Sequence, residues 1–470
     1  MEAFIFVPGL FGSELFTPRG GQDGNTRVWP PSAWQIVNES YDKIDLLVRE
    51  DLVVRSILES VFVCNVYGDI LRDLDNIADA IQADGGQARV VRFPYDWRRD
   101  IAVSADALAN RLDTLVAEEP EARITLISHS MGGLVCRYML ESGAFEGRDW
   151  FPDRLGRLIT IATPHAGAPL ALDRALGLSG TMGMTATDVQ TLSQNRAFPS
   201  GYQLIPGPGR PFLRDFTAGA SGSFILDLHD DNDATAIRLG LDPINLGRTR
   251  ALHAALDVDK RPRVPIPGSP GEHRPMDYVF YAGSGLSTVN ALEIRGKPVS
   301  VKDKASGDEV VPAFSAAPGN VPTYFLKGEH VSVLGNYRLR EALYRLLGAP
   351  DRAHPVSADG TEAGQAVVAD VSVPFEGVVA GQDFEVLINF HQPQAAIRDE
   401  LRLQPDEMLR ESFEGMKAND YKIAYEGAPL DSLVLRLTAP AEPGIYEVGF
   451  TALSSDDPTK PRLTVRTAAP

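Results

Sequence analysis

The stretch Ile124-Thr125-Leu126-Ile127-Ser128-His129-Ser130-Met131-Gly132-Gly133 reads as a buried strand, a sharp turn and the start of a helix, with Ser130 at the apex of the turn. Apolar and β-branched residues run from Ile124 to Ile127, as in a strand covered on both faces. Small residues then flank Ser130, because bulky side chains two positions away would collide across so tight a turn. Gly132 and Gly133 let the helix pack close to the strand, and the positive end of that helix faces the apex. A strand, a small-x-Ser-x-Gly turn and a helix in this order are the context of a nucleophile elbow. Ser128 stands where the usual G-x-S-x-G pattern has its first glycine.

Working outward, further short runs sit at Phe4–Val7, Ala88–Phe93, Leu158–Ala162 and Tyr278–Ala282, each followed by turn chemistry. Helical periodicity is clearest at Leu134–Glu141 and Tyr337–Leu347. The alternation predicts an α/β fold with a largely parallel sheet over residues 1–348, and ligand sites in such sheets lie at the C-terminal ends of the strands. Between about 168 and 275 the pattern breaks into Gly- and Pro-rich sequence without an obvious strand, which is expected to be a cap or lid. Its apolar residues Leu204, Ile205, Phe212, Phe224, Ile225 and Leu226 are candidates to line a ligand groove rather than face water. A polar linker is expected at 349–364. Beyond it the periodicity becomes two, as at Phe384, Val386, Ile388 and Phe390, which predicts a small immunoglobulin-like β-sandwich over 365–470.

A serine hydroxyl needs a base, and the base needs an acid behind it. In this sheet architecture the chain order is Ser, then Asp or Glu, then His. Asp308, in the turn Ser306-Gly307-Asp308-Glu309, and His330, in Lys327-Gly328-Glu329-His330, satisfy that order. His129, His165, His229, His253, His273, His354 and His391 fit it less well. The turn Pro8-Gly9-Leu10-Phe11-Gly12-Ser13 directly follows the first strand. Loops there supply one oxyanion donor, so Leu10 N–H is expected to act with Met131 N–H; an ordinary turn is the alternative.

The 470 residues carry 45 basic and 63 acidic side chains, a net charge of −18. That balance argues against nucleic acid as a ligand and weakens electrostatic attraction to anionic membranes, while leaving neutral lipid interfaces open. Two cysteines cannot build a disulfide framework or a zinc site, and Cys136 reads as a small buried residue. No phosphate-cradling loop or metal-ligand spacing is present, so no cofactor or metal is expected. The cluster Asp227, Asp230, Asp231 and Asp233 reads as a solvated turn, and Asp96 with Arg98 as an orienting ion pair. No run approaches the roughly 18 apolar residues of a membrane span. Met1-Glu2-Ala3 offers no basic n-region, so a cytoplasmic location is expected. Residues Asp351–Pro470 hold 20 acidic and 10 basic residues and no catalytic constellation, which suggests a stabilising or partner-binding appendage.

Seven collinear motifs resemble the lecithin:cholesterol acyltransferase family: Pro8-Gly9 with Gly12-Ser13, Phe93-Pro94-Tyr95-Asp96-Trp97-Arg98, the Ser130 stretch, Ala162-Thr163-Pro164-His165-Ala166-Gly167-Ala168-Pro169, Pro199–Pro206, Gly307-Asp308-Glu309-Val310-Val311-Pro312, and Glu329-His330. The resemblance covers about residues 1–348. It implies an α/β-hydrolase fold, an acyl-serine intermediate and lipid acyl esters as donors. It carries Ser130 as nucleophile, Asp308 as acid, His330 as base, and Leu10 with Met131 as oxyanion donors. Trp29 and Trp34 fall in the region that contacts lipid in the family, though packing beneath the cap would equally occupy them. Ser128 replaces a glycine, as does Glu309 after the acid. The expected activity is a serine acyl hydrolase or O-acyltransferase acting on lipid acyl esters, at a membrane or micelle surface. A soluble short-chain carboxylesterase and a catalytically silent scaffold using the acidic C-terminal domain are the alternatives.

Overall fold

The computed structural model describes residues 1–20, 24–61, 63–217, 224–230, 235–319, 321–354, 369–409, 412–413, 415–450 and 461–467. Its centre is a parallel sheet of six strands, in the spatial order Thr323–Lys327, Asp277–Ser284, Leu155–Ile161, Arg123–His129, Glu2–Val7 and Ala88–Arg92. The strand Glu2–Val7 is buried from Ala3 onward, and Arg123–His129 is buried from Ile124 onward. Helices Gly68–Ala83, Ile101–Glu118 and Met131–Glu141 bury apolar faces in the same core. Each Phe, Leu or Ile so buried contributes about 1.5–3 kcal/mol.

Glu2–Val7 pairs with Arg123–His129 on one side and with Ala88–Arg92 on the other. The strand order therefore reverses between the first strand and the one that ends at Ser130. In an open α/β sheet the crevice at such a reversal, outside the carboxyl ends of the strands, is where ligands bind. The edge strand Thr323–Lys327 is one the sequence pattern marks only as an apolar run.

The 168–275 region is built differently from its sequence pattern. It contains the helices Pro169–Ala175, Ala186–Ser193 and Pro243–Ala255, and the short strands Leu213–Asp215 and Phe224–Leu226. Leu213–Asp215 pairs with Leu286–Arg295, and that strand pairs with Lys297–Gly307. A hairpin inserted between the fifth and sixth sheet strands thus returns to complete the cap. Ile205 and Phe212 belong to the cap's own core, Leu226 packs against it, and Ile225 is exposed. Of the six predicted groove residues, Leu204 lines the cleft at Ser130; the side chain of Phe224 lies outside the described residues.

Beyond the short 3-10 turn Asp351–Ala353, the rest of the predicted linker lies outside the described residues. The C-terminal region is β-rich. A long hairpin, Asp383–Pro405 with Asn419–Thr438, is joined by Ala369–Ser372, Gly444–Phe450, Arg462–Arg466 and Val378–Val379. Val386, Ile388, Leu401, Leu403, Tyr446, Val448, Leu463 and Val465 form its core, as the period-two pattern predicts. Ala33 and Val37 from the N-terminal region are buried in that same core, so the two regions share packing as well as a chain.

Trp29 does not face lipid. It is fully buried, its indole N–H donates to Phe11 O at 2.9 Å, and its ring packs on Phe11, Trp97 and Tyr41. A strand ending of Arg27–Trp29 turns the side chain inward beneath the loop that follows the first strand. Trp34 is more than half exposed and stacks on Phe413 of the C-terminal region with ring centroids 5.7 Å apart. Among the described residues, no helix is long and apolar enough to cross a membrane.

Candidate active site

Strand Arg123–His129 ends at Ser130, and helix Met131–Glu141 begins one residue later. Ser130 has φ +51°, ψ −128°, a left-handed backbone that L-residues rarely adopt without being held there. The holding bonds are visible. Ser130 N–H donates to Ile161 O at 2.9 Å, and Ser130 O accepts from Thr163 Oγ1 at 2.9 Å and from Gly133 N–H at 3.0 Å. The glycines are sterically required: a Cβ on Gly132 would lie 2.4 Å from Val7 O, and one on Gly133 2.2 Å from Thr163 Oγ1. Ser128 is tolerated because its hydroxyl turns away to donate to Ile159 O at 3.2 Å.

His330 Nε2 lies 2.9 Å from Ser130 Oγ, and His330 Nδ1 lies 2.9 Å from Asp308 Oδ2. All three side chains are buried. The other Asp308 oxygen accepts from Val310 N–H at 3.1 Å and Val311 N–H at 2.7 Å, and His330 N–H donates to Asp308 O at 3.0 Å. Asp308 therefore comes from the far end of the inserted hairpin rather than directly from the fifth sheet strand. Gly283, in that strand, leaves room for it: a Cβ there would lie 2.5 Å from Asp308 Cβ.

Glu309 has φ +78°, so this chain puts a glutamate where the left-handed backbone favours glycine. Burial, then the nearby Glu329 carboxylate, push the Glu309 carboxyl well above the usual range. Burial and then Asp308 also raise Glu329, to about 8, against the backbone N–H groups of Ser332 and Val331 that its carboxylate accepts.

The loop after the first strand crosses directly over Ser130. A Cβ on Gly9 would meet Ser130 Cβ at 2.7 Å, and Leu10 lines the cleft with Ser130 and His330. Gly9 N–H donates to Tyr67 Oη at 2.9 Å and Gly12 N–H to Gly9 O at 3.1 Å. The Leu10 N–H between them has no hydrogen-bond acceptor among the described residues. Met131 N–H opens the helix at its first turn, where amides lack intrahelical partners. The Phe93–Arg98 motif brackets this loop: Tyr95 Oη donates to Pro8 O, and Trp97 Nε1 to Ser13 O. Arg98 is fully buried, forked onto Asp96 and donating to the Leu47 and Arg49 carbonyls, which makes it an anchor of the motif.

Tyr67, which the sequence does not mark, and His129, within the elbow stretch, also join the site. Tyr67 Oη lies 2.8 Å from His129 Nδ1, and His129 Nε2 lies 2.9 Å from the carbonyl of His330. A carbonyl only accepts, so Nε2 carries the proton and Nδ1 accepts from the Tyr67 hydroxyl. Burial, then His330, hold His129 well below the usual histidine range, and burial raises Tyr67; both remain neutral. Of the remaining histidines, His165 is held by Arg137 and Thr160, and His229 and His253 meet the carbonyls of Pro206 and Ile205. Asp227 accepts from Gly209 and His229 amides, while Asp231 and Asp233 lie outside the described residues.

Above Ser130 the cleft is walled by Phe11, Trp97, Leu170, Met182, Met184, Val189, Leu192 and Phe198, largely from the cap. It suits an apolar ligand with a single polar reacting centre.

Residues 69–235 match the family model described as lecithin:cholesterol acyltransferase. The parallel sheet, with a strand, a tight turn at Ser130 and a helix in sequence, is of α/β type. Similar chains include a GPI inositol-deacylase of Debaryomyces hansenii, 39 % identical over 57 residues, which are 12 % of this chain and 5 % of that one. Another is phospholipase A(1) LCAT3 of Arabidopsis thaliana, 27 % identical over 195 residues, 36 % of this chain and 42 % of that one. The chain thus matches less than half the length of either relative. Similar solved structures include a Tle4–Tli4 complex, with TM-score 0.49 and 16 % identity over 73 % of this chain and 98 % of that one. The Bacillus licheniformis lipase BlEst2 has TM-score 0.34 and 15 % identity, covering 73 % and 91 %.

Proposed function

We propose that this lecithin:cholesterol acyltransferase-type chain is a serine acyl hydrolase or O-acyltransferase acting on lipid acyl esters, phospholipid or glycerolipid, through an acyl-serine intermediate. The observation that carries the reading is the unbroken series Ser130 Oγ, His330 and Asp308, with 2.9 Å at each link, on the floor of an apolar cleft. His330 Nε2 takes the proton as Ser130 Oγ attacks the ester carbonyl, and Asp308 stabilises the imidazolium through Nδ1–H. Leu10 and Met131 amides receive the oxyanion, each donor lowering the barrier by about 3 kcal/mol. Collapse of the tetrahedral intermediate expels the alcohol, which takes the proton back from His330. Water, or an acceptor alcohol, then gives its proton to His330 and attacks the acyl-serine, freeing the acid or forming a new ester.

The C-terminal region is read as an immunoglobulin-like sandwich. The support is that strand Asp383–Pro405 pairs through its first half with Ala369–Ser372 and through its second with Gly444–Phe450, around one shared core.

The test is covalent labelling by a fluorophosphonate, followed by turnover of acyl esters of increasing chain length above and below their aggregation threshold. Labelling at Ser130 with preference for long, aggregated esters is expected. Labelling with preference for the shortest monomeric ester favours a soluble carboxylesterase, and no labelling favours a silent scaffold.

A further inference from the structure

Phe375 and Glu376 belong to the C-terminal region, yet they line the same cleft as Ser130 and His330. They sit in the turn between Ala369–Ser372 and Val378–Val379. The turn is fixed from behind. Gly377 has φ +81° and donates to Pro374 O at 3.1 Å, and a Cβ on Gly377 would lie 2.7 Å from Thr464 O. It is also fixed from in front. Both Glu376 carboxylate oxygens lie 2.5 Å from Arg174 Nη2, at the end of cap helix Pro169–Ala175, and Oε1 accepts from Thr181 Oγ1 at 2.9 Å. Charge-assisted bonds of this kind are among the stronger ones in a protein. Burial raises the Glu376 carboxyl, but Arg174 and Thr181 outweigh it and hold the group below its usual value, so the pair is charged.

The rest of the cleft wall is mostly aliphatic and aromatic, and its other cation, Arg98, is consumed by Asp96 and two carbonyls. An alkyl chain lying in the cleft would meet the Phe375 ring and, beside it, the ion pair. To pass further it would have to separate two opposite charges, of which Arg174 is mostly buried and Glu376 about one-third exposed, without replacing their partners.

We propose that Phe375 and Glu376 are specificity-determining residues. The C-terminal domain closes the end of the acyl groove, the Arg174–Glu376 pair latches it to the cap, and together they set the length of acyl chain the enzyme accepts. The proposal rests on the acyl-serine reading of Ser130.

The experiment compares nitrophenyl butanoate with nitrophenyl hexadecanoate, and ethyl with hexadecyl fluorophosphonate, on the full-length protein. Phe375→Ala is expected to raise the long-to-short ratio of kcat/KM at least about tenfold, the lower end of the discrimination for one methylene in an apolar pocket, mainly through KM for the long ester. Phe375→Leu should fall between the two, and Phe375→Trp should lower the ratio. Glu376→Gln should raise it by loosening the latch. Leu and Trp variants decide the matter where Ala does not fold. Unchanged ratios in folded variants that still label at Ser130 overturn the proposal alone. A parent protein that neither labels nor turns over any ester overturns the Ser130 reading and the proposal with it.

Discussion

Tyr67 Oη donates to Nδ1 of His129 across 2.8 Å, and through that one bond the loop after the first strand is tied to the loop that bears His330. The series runs Gly9 N–H, Tyr67 O–H, His129 Nε2–H, His330 C=O. Each donor has one acceptor, all are neutral, and all are buried.

Tyr67→Phe removes the middle of that series and leaves a buried amide and a buried imidazole nitrogen without partners. A loss of about 2 kcal/mol in unfolding free energy is expected. Because Gly9 neighbours Leu10, kcat should fall about tenfold with KM little changed. Denaturant melts and ester kinetics on the same preparation check both; a stability loss with parental kcat would make Tyr67 purely structural.

Ser130, the proposed nucleophile, has a left-handed backbone. Ser130→Ala should abolish fluorophosphonate labelling and lower kcat by a factor on the order of 10⁶. Ser130→Gly should be equally inactive yet more stable than Ser130→Ala, by about 1 kcal/mol, because glycine accepts φ +51° without strain. Thermal melts of the two variants give the comparison.

Glu309 holds φ +78° with a carboxyl that burial disfavours ionising. Glu309→Gly relieves both and should stabilise the protein by about 1 kcal/mol, net of glycine's greater freedom in the unfolded chain. Unfolding curves in urea at neutral pH would show it as a raised midpoint with unchanged slope.

Burial, then the Asp308 carboxylate, push the Glu329 carboxyl up to about 8, from about 4.5 for an ordinary glutamate. Between those values the folded protein holds a proton that the unfolded chain has released, so this group makes stability fall as pH rises from about 4.5 to about 8. Glu329→Gln keeps an acceptor for the Val331 and Ser332 amides and removes the titration. The melting temperature of Glu329→Gln minus that of the parent should grow across that window and level off above it. A difference independent of pH would refute the assignment.

The sequence pattern places the proposed catalytic motifs before residue 349, so a protein ending near Ala349 would keep turning over soluble esters if the N-terminal core were self-sufficient. The structure argues the opposite. Val37 is fully buried in the C-terminal core, Thr467 N–H donates to Val37 O at 3.0 Å, and Arg462 Nη1 donates to Val63 O at 2.8 Å. Truncation uncovers these groups and removes Phe375 and Glu376 from the cleft. Expression of the 1–349 segment should give aggregated or inactive protein, scored by size-exclusion chromatography and ester turnover.

What the sequence determined by itself is local. A period of hydrophobicity, two glycines after Ser130 and a chain order of Ser, Asp, His are properties of contiguous residues. The strand runs, the elbow at Ser130 and the loops of Asp308 and His330 were therefore legible before any coordinates. The two tryptophans were not, because a Trp-Pro-Pro-Ser-Ala-Trp string has no period that says which ring turns inward; Phe11, Trp97 and Tyr41, which enclose Trp29, come from elsewhere in the chain. Tyr67 and His129 are 62 residues apart, and Arg174 and Glu376 are 202 apart. Neither pair has a mark in the sequence, since a hydrogen bond or an ion pair needs only that the fold deliver two ordinary polar side chains to one place. The hairpin of Leu286–Arg295 and Lys297–Gly307 was likewise not read from the sequence, and its pairing with Leu213–Asp215 makes it part of the cap. Local pattern marked the elements and the three side chains Ser130, Asp308 and His330; which distant segments wall the cleft, Phe375 and Glu376 among them, was decided by how the C-terminal region packs against the cap.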